Sequence, residues 1–149
     1  MHAFRFRLQA LLKYRTMQKE QAQANLLEAA AILRQEQQVL QMLEGKWQEN
    51  MSSLRELRQN GAANLVEMFK LYELYFDKLR EDIHSQKKQI AAAAVRHDAC
   101  LKALAEALKQ EKVVEKVREK KYQQYQQEWL AEEQKTLDEI GLQLYVRDR

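Results

Sequence analysis

The sequence contains no proline, three glycines and a single cysteine. Turns draw heavily on glycine and proline, so a chain of 149 residues with so few of either makes few reversals. This excludes a many-turned globular domain, a sandwich or a barrel. The lone Cys100 excludes an internal disulfide framework and suits a reducing compartment. No apolar run approaches the roughly 20 residues that span a bilayer. Residues 1–12 carry Arg5 and Arg7 but lack the continuous apolar core of a secretory signal. An organellar transit segment fits less well, because the same residues run smoothly into a helical pattern. Charge of one sign is also lacking. The chain has 25 basic and 22 acidic residues, a balance too even to make nucleic acid the default partner.

What is present is a long apolar periodicity. Positions spaced by three and four run through Leu26, Ala29, Leu33, Glu36, Leu40, Leu43, Trp47, Asn50, Leu54 and Leu57. A second series runs through Leu65, Phe69, Tyr72, Phe76, Leu79, Ile83, Gln86, Ile90, Ala93, His97, Cys100, Leu104, Ala107, Glu111 and Val114. This is a narrow heptad seam, suited to a two-stranded coil rather than a wide globular core. Glu36, Asn50, Gln86 and Glu111 interrupt it, and polar seam residues usually fix register.

One strong turn signal separates the two series, Asn60-Gly61. The pattern therefore predicts an all-α fold: one long two-helix antiparallel coiled-coil hairpin over 1–149, the second helix longer than the first. Helix 1 is expected over about 4–58, the turn over about 59–62, and helix 2 over about 63–140, with Gly141 opening a tail at 141–149. Gly45 lies inside helix 1 and costs about 1 kcal/mol relative to alanine, too little to end it.

Antiparallel pairing about Asn60-Gly61 makes paired residue numbers sum to about 121. Helix 1 then runs out near residue 116. Residues 116–140, about 36 Å of helix, are left without an internal partner. That stretch carries Tyr122, Tyr125, Trp129 and Leu130, an aromatic set that a purely solvated helix has little reason to hold.

No catalytic constellation accompanies this pattern. A two-helix rod offers no water-excluding site. The glycines are isolated, so no phosphate-binding loop exists. His97 and Cys100 stand three apart on one face, but two ligands do not make a zinc site, and both fall on the seam. Glu132 and Glu133 are adjacent on a helix, point apart and read as a solvated surface. The expectation is therefore a non-enzyme with no metal, no cofactor, no small-molecule ligand and no nucleic acid.

Three stretches suit protein binding. Phe4-Arg5-Phe6-Arg7-Leu8 continues through Leu11, Leu12 and Arg15, with four basic residues counting Lys13, and no acid before Glu20. Positive charge at a helix N-terminus opposes the macrodipole, so a local stability rule is broken there. Docking into an acidic protein groove explains this. Adsorption to an anionic membrane, or a plain frayed terminus extending the seam through Leu8 and Leu12, are the alternatives. Near the turn, Tyr72 and Phe76 are expected in the core against Trp47, whereas Tyr75 falls off the seam. Tyr75 with Leu79 is a candidate contact at the hairpin tip, against a bulky capping cluster as the bland reading. Finally, Lys109 to Lys121 alternates Lys and Arg with Glu and reads as a solvated, ion-paired face; RNA binding together with Tyr122 and Tyr125 is the alternative, against which the interleaved Glu111, Glu115 and Glu119 dilute the field.

The opening Phe4-x-Phe6-x-Leu8-x-x-Leu11-Leu12-x-x-Arg15, followed by Glu20 and one long hairpin, resembles the FliJ family of flagellar export proteins and its type III secretion relatives. That resemblance implies a stalk-like coiled coil whose two termini enter a hexameric export ATPase. It implies a second contact, at the far tip, with the membrane-embedded export gate, and contacts with export substrate chaperones. On this basis Phe4, Arg5, Phe6, Arg7, Leu8, Leu11, Leu12, Arg15, Tyr122, Tyr125 and Trp129 are the expected ATPase-facing residues. Tyr75 and Leu79 are the expected gate-facing ones. A cytoplasmic location at the inner face of the cell membrane follows from the same resemblance. The alternative is a generic structural or self-associating coiled-coil adaptor.

Overall fold

Heptad spacing and the scarcity of breakers give two α-helices in the computed structural model: α1, Gln9–Asn60, of 52 residues, and α2, Leu65–Arg147, of 83. They form a helical hairpin, with the second helix the longer. The structure describes residues 2–61 and 63–148. The expected turn includes Ala62, and the expected tail includes Arg149; both lie outside the described residues.

The reversal has a clear chemical cause. α1 ends at Asn60, and Gly61 follows with φ +61°, the left-handed conformation that closes a helix and that only glycine adopts without strain. α2 restarts behind Asn64, whose carbonyl accepts the Met68 N–H at 3.0 Å. Asparagine is a favoured N-cap, and Glu67 in the first turn suits the positive helix end.

Contacts group the chain into two units. One is Ala22–Leu104; the other joins Met1–Gln21 to Ala105–Arg149. In the first, the turn-proximal unit, Glu28 meets Arg96, Glu36 meets Gln86 and Trp47 meets Phe76. As numbers rise along α1 they fall along α2, so the pairing is antiparallel. The core here is thin: Ala29, Phe76, Leu79 and Ala93 are buried, and the Trp47 and Phe76 rings meet edge-on at 4.7 Å. Two of the expected polar seam residues meet each other. The Gln86 amide donates to the Glu36 backbone carbonyl at 2.8 Å and to its carboxylate. A buried amide that loses such partners in a slipped register costs about 1–3 kcal/mol, so the pair resists slippage. Asn50 instead turns to its own helix and donates to the Lys46 carbonyl at 2.6 Å.

In the second, termini-bearing unit, Leu12 and Val114 are buried together with Glu111. The Glu111 carboxylate faces the Lys19 ammonium, Oε1 at 3.2 Å and Oε2 at 3.1 Å. Only Oε1 accepts an aligned hydrogen bond; Oε2 is held by charge alone. Beside this pair Arg15 donates to both Gln18 and Gln110, bridging the helices.

Two boundaries differ from the sequence expectation. α1 begins at Gln9 rather than near residue 4, so Phe4–Leu8 is an arm ahead of the helix. α2 passes straight through Gly141, because a glycine in a helix interior costs about 1 kcal/mol and no proline follows to enforce a stop. The glycines therefore predict opposite effects. No neighbour stands within 4 Å of a Cβ added at Gly45, Gly61 or Gly141. Gly45→Ala and Gly141→Ala are expected to add about 0.5–1 kcal/mol of helix stability. Gly61→Ala should lose about 1–2 kcal/mol to left-handed strain alone. Urea titration followed by circular dichroism checks the signs; a stabilising Gly61→Ala would contradict the turn.

Candidate partner-binding surfaces

The N-terminal arm alternates with period two. Phe4 and Phe6 are half-buried while Arg5 and Arg7 are exposed. The Phe4 ring lies edge-on to Tyr122 at 5.1 Å and tilted against Tyr125 at 5.5 Å. The Tyr125 hydroxyl donates to the His2 carbonyl at 2.8 Å. The arm then turns into α1, where the Gln9 N–H reaches the Phe6 carbonyl. Beside it runs an open groove of about 740 Å³, whose walls include Arg5, Arg7, Lys121 and Glu128.

This placement corrects the expected overhang. Helix 1 was to leave α2 uncovered from about residue 116, yet the arm carries the pairing on to Tyr125. Tyr122 and Tyr125 thus have an internal partner in Phe4. Trp129 and Leu130 lie beyond it and are exposed. Leu12 is buried and holds the two helices together, Leu11 is partly covered, and Leu8 is exposed.

In the turn-proximal unit the two expected contact residues separate. Tyr75 is 40% exposed; Leu79 is 3% exposed and belongs to the core. Leu79 falls on the seam, so its burial follows from the same spacing that built the helix pair. The exposed neighbours of Tyr75 are Met68 and Leu71, which share its stripe at spacings of three and four. They line a shallow groove of about 350 Å³ with Asn50, Tyr72 and Tyr75. An off-seam triplet of this kind is readable in sequence as a second apolar stripe beside the heptad.

One family description, flagellar FliJ protein, matches residues 4–149, nearly the whole chain. The chain belongs to the FliJ family. No curated protein and no solved structure matches it. Family membership makes it a flagellar export-related protein. The FliJ match begins at Phe4, the residue whose ring seats the arm on α2. Among the described residues no helix is long and apolar enough to cross a membrane. Among the same residues no group of three or more His, Cys, Asp or Glu side chains is placed to hold a metal ion.

Proposed function

We propose that this FliJ-family chain is a non-enzymatic coiled-coil stalk of the flagellar type III export apparatus. In this reading its termini-bearing unit binds the hexameric export ATPase. Tyr75, with Met68 and Leu71, offers the contact for the export gate. Substrate chaperones are further partners, and the chain works in the cytoplasm at the inner face of the cell membrane. The observation that carries the reading is the union, in one unit, of a basic arm with the aromatic stretch of α2. Exposed Arg5 and Arg7 stand beside a groove, and exposed Trp129 follows along the helix. Aromatic and arginine side chains are the usual anchors of protein interfaces.

The test is co-elution with a flagellar-type export ATPase and stimulation of its hydrolysis. Arg5→Ala with Arg7→Ala removes two exposed charges without touching the core. Binding is expected to weaken about tenfold at low salt and the loss to shrink as salt rises. Arg15→Ala is a less clean probe, because Arg15 also bridges to Gln110 and its loss loosens the fold. If the double variant stimulates hydrolysis like the native chain, the arm is not the ATPase contact. Absence of any binding by the native chain removes the ATPase reading altogether.

A further inference from the structure

α2 changes sign near Tyr122. Lys109, Lys112, Lys116, Arg118, Lys120 and Lys121 precede it, against Glu111, Glu115 and Glu119. Glu111 is spent internally on Lys19, so the solvent meets six basic and two acidic groups. Between Tyr125 and Gly141 come Glu128, Glu132, Glu133, Asp138 and Glu139, against Lys135 alone. A basic block and an acidic block thus adjoin on one helix, with exposed Tyr122 and Trp129 at the junction.

From this pattern we infer that the chain self-associates through residues 108–137 of α2, antiparallel to the same segment of a second copy. A basic heterologous helix would satisfy only the acidic block, and an acidic one only the basic block. A parallel second copy would set like charge on like. An antiparallel copy satisfies both blocks at once, and its two-fold symmetry makes the contact isologous and closed. Pairing centred between Tyr122 and Gln123 sets Leu108 opposite Leu137, Lys112 opposite Glu133, and Lys116 opposite Glu128 and Trp129. Leu108, Trp129 and Leu137 are all exposed in the single chain, and the paired segment is about 45 Å long. Flanking charges of this kind set partner choice and orientation in coiled coils. The dimer would cover Tyr122 and Trp129. On the proposed function it is therefore a stored form that excludes the ATPase, a consequence resting on that reading.

Sedimentation equilibrium of the full chain, with no ATPase present, tests the dimer itself. The native chain is expected to dimerise with concentration and to dissociate as salt rises. Lys112→Glu with Lys116→Glu, and separately Glu128→Lys with Glu133→Lys, should each raise the dimer Kd about tenfold or more. All four side chains are exposed, and circular dichroism checks that the helices persist. Mixing the two variants should restore a dimer, because each reversed block then meets its complement. A native chain that stays monomeric at high micromolar concentration overturns the proposal. So does a dimer that survives either reversal, or a mixture that is not rescued. Because no ATPase is present, failure here leaves the stalk reading standing, and a dimer that never stimulates an ATPase fails only the latter.

Discussion

Leu79→Ala is expected to lower the unfolding free energy by about 3 kcal/mol, whereas Tyr75→Ala one turn earlier should change it by no more than about 0.5 kcal/mol. The two residues share a helix and lie four positions apart. They differ in burial, 3% against 40% exposed. Truncating a buried leucine removes its transfer free energy and leaves a cavity that a thin two-helix core cannot fill from a second layer. Truncating a half-exposed tyrosine removes surface that water already reaches. The ratio matters more than either value, because a small core has few kcal/mol in reserve. Urea titration at matched concentrations reads both. Equal losses at the two positions would mean that the helices pair in another register. On the proposed function the same pair separates stability from recognition: a loss of gate binding on Tyr75→Ala at unchanged stability would be a contact effect, and a loss on Leu79→Ala would not.

Most of the fold was legible because a heptad seam carries its own geometry. Every seam position from Leu26 to Leu57 and from Leu65 to Val114 is at least partly covered. The pairing is close to that expected from the turn: Glu36–Gln86, Trp47–Phe76 and Glu28–Arg96 have numbers summing to 122, 123 and 124, against the expected 121. What periodicity conveys poorly is where a helix begins and whether an isolated glycine ends it. Phe4-Arg5-Phe6-Arg7 reads with period two, but Leu8, Leu11, Leu12 and Arg15 continue it with helical spacing, and the longer pattern masks the shorter. The two arginines opposing the dipole were the available signal that the helix starts later. Gly141 resembles Gly61 in sequence only. Gly61 follows Asn60 and precedes a break in the seam, whereas Gly141 sits between Ile140 and Leu142 with no asparagine before it.

The binding surfaces were legible in part. The basic arm and the aromatic stretch of α2 were each visible, but their contact through Phe4 was not, because it joins residues more than a hundred positions apart. That contact changes what substitutions there mean. Phe4→Ala would disturb the seating of the arm as well as any partner contact, whereas Arg5 and Arg7 are exposed and take no part in that ring contact. Met68 and Leu71 are less legible because their stripe runs beside the heptad seam, which dominates the periodicity. The sequence also hid how Glu111 is tolerated in the seam, since Lys19 lies ninety-two positions away.

Lys19→Met is expected to cost about 2 kcal/mol, and more than Glu111→Leu at the other end of the same ion pair. Glu111 is 8% exposed, and without Lys19 its carboxylate stays desolvated with no compensating charge. Breaking a fully buried pair this way costs about 3–5 kcal/mol. The Lys19 side chain is 23% exposed, so water reaches the site and the loss is smaller. The reverse substitution leaves a lysine whose long stem can carry its ammonium outward to solvent, while leucine fills the seam. Its cost should fall below about 1 kcal/mol. The double variant, Met at 19 with Leu at 111, should equal or exceed the native stability, because no charge is then buried. The cycle of four proteins, read by thermal and urea unfolding, isolates the coupling between the two groups. If Glu111→Leu proves the costlier single change, then Lys19 is not the group that makes a buried carboxylate tolerable. The rise in stability expected of the double variant would come with a loss of specificity. Without the charge pair, nothing polar at that layer resists a shift of Leu12 and Val114 along the seam, and the arm that rests on Tyr122 would lose its fixed register.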